Sequence, residues 1–151
     1  MYVFMTIIFW VLSLTWGSVM TTFGLIIGLF MLLTGHMPKI FAERYIYFQF
    51  REMNGFGFEA GPIFFVGSDC DLLYLKQHEA GHGIQNIIFG PFMPILVSIP
   101  SAIRYWYRYY IGTHHPEKKL PPYDSIWFEG WATKLGEKYY PIDRSQDLHL
   151  L

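Results

Sequence analysis

From Met1 to Pro38 the chain carries no lysine, arginine, aspartate or glutamate, and the run VFMTIIFWVLSLTWGSVMTTFGLIIGLFMLL is apolar almost throughout. A stretch of this kind needs either a bilayer or a large core to receive it. At 151 residues the chain has room for one core only. With 52% hydrophobic, 20% aromatic and 15% charged residues, the balance leans toward membrane residence. A secretory signal would open on basic residues and close on a small-residue cleavage site; MYVFMT opens otherwise, and the segment is expected to stay in the mature protein. As one straight helix at about 1.5 Å per residue it would exceed about 40 Å, against about 30 Å of hydrocarbon. A break is therefore expected at LTWGSV, residues 14 to 19, where Gly17 weakens the helix and Trp16 suits an interface. The reading is one spanning helix from about Gly17 to Leu33 preceded by an interfacial or re-entrant stretch, with two half-depth helices as the alternative. Residues 1–38 form the membrane anchor segment and 39–151 the remaining domain.

Cations set the orientation. Lys39, Arg44 and Arg51 follow the first segment, Arg104 and Arg108 follow a second apolar stretch, and none precedes the first. By the positive-inside rule the bulk of the chain is cytoplasmic. A net charge of −1 with no long basic run argues against nucleic acid as a partner. The single cysteine, Cys70, excludes an intramolecular disulfide and a multi-cysteine metal site.

After the anchor, RYIYFQFREMNGFGFEAGPIFFVG (44 to 67) is rich in β-branched and aromatic residues and carries Asn54-Gly55, a hairpin turn signal. Two paired strands are expected at about 43–51 and 57–66. Ser68 and Asp71 form an acceptable capping box for a helix from Asp71 to Phe89, ended by Gly90-Pro91. The next run, PFMPILVSIPSAIRYWYRYY (91 to 110), has an apolar part too short to span, and its prolines argue against a regular start. It reads as a half-inserted element with Arg104, Tyr105, Trp106, Tyr107 and Arg108 at headgroup level. A last helix is expected from about Tyr123 to Lys138, and the tail beyond Pro141 as loosely held. The fold class is α+β.

The chemistry-bearing stretch is LKQHEAGHGIQN, residues 75 to 86. On a helix, residues four apart are separated by about 400°, so His78 and His82 share a face and can both reach one metal ion. Glu79 lies about 100° round from His78, near the ion without being on the ligand line, as a base acting on metal-activated water must be. Catalytic zinc takes three protein ligands and leaves one position open. Glu129 is the best third donor, a carboxylate in the apolar run WFEGWATKLG that a cation would compensate. Asp124 is a rival, but five helical residues place it roughly 140° from Glu129; it is also a candidate cap for the last helix. His114 and His115, in a polar proline-flanked loop, are the other rivals.

HEAGH together with EGWAT resembles the zincin metallopeptidases of the glutamate-ligand (thermolysin-like) group, built on an H-E-x-x-H helix and an E-x-x-x-D helix. More of the chain, through QHEAGHGIQNIIFGPFMP, IPSAIRYWYR and YDSIWFEGWATKLG, is similar to a set of small bacterial membrane proteins. The resemblance implies His78, His82 and Glu129 as Zn2+ ligands and Glu79 as general base. It also implies a compact zincin-like unit whose hairpin supplies an edge strand for a peptide substrate. The chain departs from the pattern at Thr133, where such peptidases usually have an aspartate hydrogen-bonded to a zinc-bound histidine. For the oxyanion stabiliser, Tyr123, Tyr139, Tyr140 and His149 all remain open. Site-2 proteases also place H-E-x-x-H near lipid, but Lys76, Gln77, Gln85 and Asn86 point to a site at the membrane surface rather than within the bilayer.

The expected function is thus a membrane-bound zinc metalloendopeptidase of the bacterial cell membrane, hydrolysing a peptide or membrane-proximal protein substrate with Glu79 as base. Two alternatives stand beside it. One is a membrane zinc protein in which the metal is structural; the other is a membrane interaction protein that holds no metal.

Overall fold

The computed structural model describes residues 2–50, 55–67 and 72–142. The charge-free segment forms α1 (Tyr2–Thr15) and α2 (Ser18–Leu33), which meet at Gly17 with a bend of 95°. Thr21 stitches the bend: its hydroxyl donates to the carbonyl of Ser13 at 2.8 Å and to that of Gly17 at 3.0 Å. Among the described residues no single helix is long and apolar enough to cross a membrane, and α1 and α2 reach that measure only as a bent pair. The expected single spanning helix is therefore corrected to two shorter helices. The break does fall at Gly17, and α2 alone, with 16 residues, rises only about 24 Å.

Four strands follow: β1 (Lys39–Phe41), β2 (Tyr45–Phe50), β3 (Gly57–Ala60) and β4 (Ile63–Gly67), ordered β1-β2-β4-β3 in one sheet. The expected pairing of 43–51 with 57–66 is overturned. Residues 57–66 are themselves a hairpin, with Ala60 opposite Ile63, and β2 runs parallel to β4 from Ile46 opposite Ile63. The physical reason lies in Glu59-Ala60-Gly61-Pro62. Gly61 takes φ 73, its amide donates to the Glu59 carboxylate, and Pro62 has no amide to give a ladder. All five residues of β4 are buried, as a strand flanked on both edges and covered on both faces requires. Asn54, Cys70 and the proposed capping pair Ser68 and Asp71 lie outside the described residues.

Helix α3 covers Leu72–Phe89 among the described residues and ends at the expected Phe89. A 3-10 turn at Gly90–Phe92 and a π turn at Pro94–Ser98 then lead into α4 (Ile99–His114), so the irregular start expected from the prolines is present and a regular helix follows it. The last expected helix is divided. Tyr123–Ser125 is a 3-10 turn, Ile126 is extended (φ −89, ψ 145), and α5 (Trp127–Tyr139) begins after it. Helices α3 and α5 pack with their backbones nearly touching: a methyl group on Gly81 would collide with the Ala132 carbonyl, and one on Gly136 with that of Gln77.

The core has two parts. Met20 and Met31 of α2 pack with Phe48, Phe65, Met93, Val97 and Phe128, while Phe9 of α1 packs with Tyr45, Tyr47 and Phe64. The opposite faces of these helices are exposed and apolar, with Phe23, Ile26, Leu29 and Phe30 on α2 and Ile99, Ile103 and Trp106 on α4. Such a surface is larger than solitary exposed side chains would make.

Candidate metal centre

Helical spacing on α3 puts the imidazoles of His78 and His82 one turn apart, with their Nε2 atoms 3.2 Å from each other. From α5, Glu129 brings Oε2 to 3.0 Å from Nε2 of His78 and 3.1 Å from Nε2 of His82. All three side chains are buried. The three atoms form a nearly equilateral triangle. Tetrahedral zinc with ligands at about 2.05 Å sets its donors about 3.3 Å apart, so this triangle is close to one face of such a tetrahedron. His78, His82 and Glu129 are positioned to hold a metal ion.

Each donor is fixed from behind. Nδ1 of His78 lies 3.0 Å from the Thr133 hydroxyl, and Nδ1 of His82 lies 2.7 Å from Oε1 of Gln85. A metal on Nε2 leaves the proton on Nδ1, which then donates to these oxygens. Gln85 is itself held, its amide donating to the Phe128 carbonyl at 2.8 Å. The Ser101 hydroxyl donates to Oε1 of Glu129, leaving Oε2 for the triangle. Without an ion, the same contacts form a buried ion pair. Burial pulls the His82 imidazole down, but the Glu129 hydrogen bond and the charges of Glu79, Glu129 and Glu59 outweigh it and raise its pKa to about 9. Burial acts upward on Glu129, and the hydrogen bonds from both histidines overcome it, leaving that carboxyl well below the usual range.

Glu79 is buried and presses against β3, where a methyl group on Gly57 would collide with its carboxylate. Burial raises its pKa to about 8. It shares with the triangle a cavity of about 300 Å³, lined also by Phe58, Glu59, Tyr74, Ser101, Tyr105 and Tyr123. Glu59 is a second buried acid here, held well above the usual carboxylate range by burial.

Of the four oxyanion candidates, only Tyr123 lines this cavity among the described residues. Its ring stands 6.4 Å from that of His78, and its hydroxyl is 3.4 Å from the Ser101 hydroxyl. Burial pushes its pKa up to about 12, so it remains a donor at neutral pH. Arg104 and Arg108 each place a guanidinium 5.6 Å from its ring centre, and Arg104 donates to its carbonyl at 3.1 Å. Tyr139 is exposed, and Tyr140 hydrogen-bonds Tyr45 at 3.1 Å in the second part of the core. His149 lies outside the described residues.

Asp124 is exposed, no hydrogen bond joins it to the triangle, and the first turn of α5 is preceded by Ile126 with no side-chain cap. The expected cap is therefore not made: the Asp124 carbonyl packs against Gly130 of α5, and of its side chain only the charge reaches His78. His114 stacks on Tyr110 at 4.4 Å and His115 pairs with Glu117 at 3.5 Å, both away from the centre. Sequence reasoning did not identify Gln85, Ser101 or Glu59. Gln85 carried a signal, three residues after His82 on the same helical face; Ser101 and Glu59 reach the site only through tertiary packing. Comparison of the chain with protein-family models, curated proteins and solved structures finds no match.

Proposed function

We propose that the protein is a membrane-bound zinc metallopeptidase. The observation that carries the reading is the triangle of His78 Nε2, His82 Nε2 and Glu129 Oε2, with sides of 3.0 to 3.2 Å, opening onto a cavity that also holds Glu79. Three protein donors and a cavity on the remaining side favour a catalytic ion over a structural one, which a fourth protein ligand would close. Two histidines and a carboxylate suit zinc. The resemblance of α3 and α5 to the paired helices of glutamate-ligand zincins points the same way.

A zinc ion in this position supplies Lewis-acid polarisation of a carbonyl and acidifies water. The chain's own residues do the rest. Glu79, which lines the same cavity as the triangle, accepts the proton of the attacking water and delivers it to the leaving amine. Tyr123 donates to the oxygen on which charge develops. Thr133, Gln85 and Ser101 hold the three donors in place.

The bent pair α1–α2 and the exposed aliphatic and aromatic face of α4 support insertion into one leaflet of the cell membrane, and the cations that follow the apolar stretches favour the cytoplasmic side for the bulk of the chain. Substrates are then peptides or membrane-proximal proteins. The test is metal content and proteolysis on purified full-length protein. The reading expects about one zinc per chain, cleavage of a peptide library, and loss of cleavage with zinc retained in Glu79→Gln. Protein that binds no stoichiometric metal overturns it.

A further inference from the structure

A second cavity, of about 500 Å³, lies between α2 and α4 and is lined almost wholly by apolar side chains. Val19, Phe23 and Ile26 form one wall, Ile99 and Ala102 the other, and Phe58 of β3 lies at its floor. Phe58, Ser98 and Ala102 line this groove and the cavity of the metal centre alike, so the two spaces adjoin across those three residues. The groove has room for more than one large apolar side chain, and nothing in the proposed hydrolysis uses it.

We propose that this groove is the substrate subsite for large apolar residues of a membrane-inserted polypeptide, and that such segments are the substrate class. The proposal rests on the peptidase reading for the identity of the reaction. Two observations select the occupant. First, β3 is an edge strand whose only strand partner among the described residues is β4. Helix α2 closes onto the Ala60 end of that edge, where a methyl group on Gly24 would collide with the Ala60 carbonyl. The Gly57 end, beside Glu79, is where a ligand backbone can pair. An extended peptide pairs with such an edge and sends alternate side chains to one face, here the groove at Phe58. An acyl chain would fill the groove but has no amides for the edge. Second, the walls of the groove continue outward into exposed apolar residues: Phe23, Ile26 and Leu29 on one side, Ile95, Ile99 and Ile103 on the other. The groove therefore opens on the face proposed to lie in lipid, and its occupant arrives from there.

Burying one leucine or phenylalanine side chain in such a site changes binding by about tenfold to a hundredfold. The test uses full-length protein in phosphatidylethanolamine and phosphatidylglycerol vesicles. A single-span peptide carrying a photoreactive leucine analogue is presented to zinc-loaded Glu79→Gln protein, and the crosslinked residues are mapped by mass spectrometry. Labelling of Phe23, Ile26 or Ile99, abolished when Thr22→Trp and Ile99→Trp fill the groove, supports the proposal. In parallel, the ratio of kcat/KM for the inserted peptide to that for a water-soluble polar peptide should fall by about tenfold or more in the filled variant. Ile99→Trp alone serves if the double variant loses zinc or melts early. Labelling elsewhere, labelling of lipid in place of peptide, or an unchanged ratio overturns the proposal. Groove labelling without cleavage of either peptide by the wild type retains the subsite and removes the peptidase reading; cleavage without groove labelling does the reverse.

Discussion

The Thr133 hydroxyl sits 3.0 Å from Nδ1 of His78, on the side of the imidazole away from Glu129. A hydroxyl in this place accepts the ring proton without lending the charge a carboxylate would. Removing such a partner costs metal affinity by about 10-fold to 100-fold. Thr133→Ala should weaken zinc binding by that factor, while Thr133→Asp should restore or exceed wild-type affinity. Competition titration against a chelator of known strength measures both. Equal affinities in all three proteins would mean that the hydroxyl does not support the ligand.

Tyr123→Phe keeps the ring beside Arg104 and Arg108 and removes only the donor. The expected result is a fall in kcat of about 100-fold with zinc content unchanged, in line with the loss of one oxyanion donor. Tyr139→Phe is the control, because that side chain is 54% exposed and lies outside the cavity. It should leave kcat as it is.

The metal-free site also predicts a direction with pH. His82, raised to about 9, holds a proton that zinc must displace, so the zinc dissociation constant should fall about tenfold for each unit of pH up to that value. Stability of the metal-free protein should move the other way. The contribution of His82 is complete below its ordinary 6.5 and lost as pH rises through about 9; that of neutral Glu79 is complete below its ordinary 4.5 and lost as pH rises through about 8. Glu129, with its lowered pKa, loses its contribution only on acidification, below its ordinary range, and His78, also lowered, loses its own below 6.5. Between pH 6.5 and 9 the metal-free Tm should therefore decline, and the rise in Tm on adding zinc should grow. Thermal melts with and without zinc across that range test both statements.

Gly81→Ala places a methyl group against the Ala132 carbonyl at the closest approach of α3 and α5. Overpacking of this kind costs about 1–3 kcal/mol. Because the two helices carry all three donors, the variant should lose zinc affinity together with stability, whereas Gly112→Ala, whose added methyl group meets nothing within 4 Å, should lose neither.

The helix-borne part of the site was open to reading in the sequence because its determinants are local. Spacing of four puts His78 and His82 together on any helix, and a carboxylate in WFEGWATKLG must be compensated by something. The sheet was not legible in the same way. Asn54-Gly55 and Gly61-Pro62 are both turn signals, and choosing between hairpins requires knowing that Glu59 caps the second with its own carboxylate. The parallel pairing of β2 with β4 leaves no local trace, since either neighbour of a fully apolar strand satisfies its pattern. Ser101 likewise reaches Glu129 only because the chain's tertiary course brings the first turn of α4 to the first turn of α5, a consequence of packing that no periodicity announces.

The positions of Phe9, Met20 and Met31 bear on how this protein has to be handled. A leash can be cut without harm to what it holds, but these helices are masonry: Asn86 of the metal-bearing helix reaches the Gly17 carbonyl at 3.4 Å, and Gly90 closes on the Trp16 ring. A fragment trimmed to residue 39 would keep every metal donor and lose a wall of the building. Whatever holds α1 and α2 in place is then a working part of any assay, and a shift of α2 has a direct mechanical route, through Gly24 and Ala60, to the strand beside Glu79.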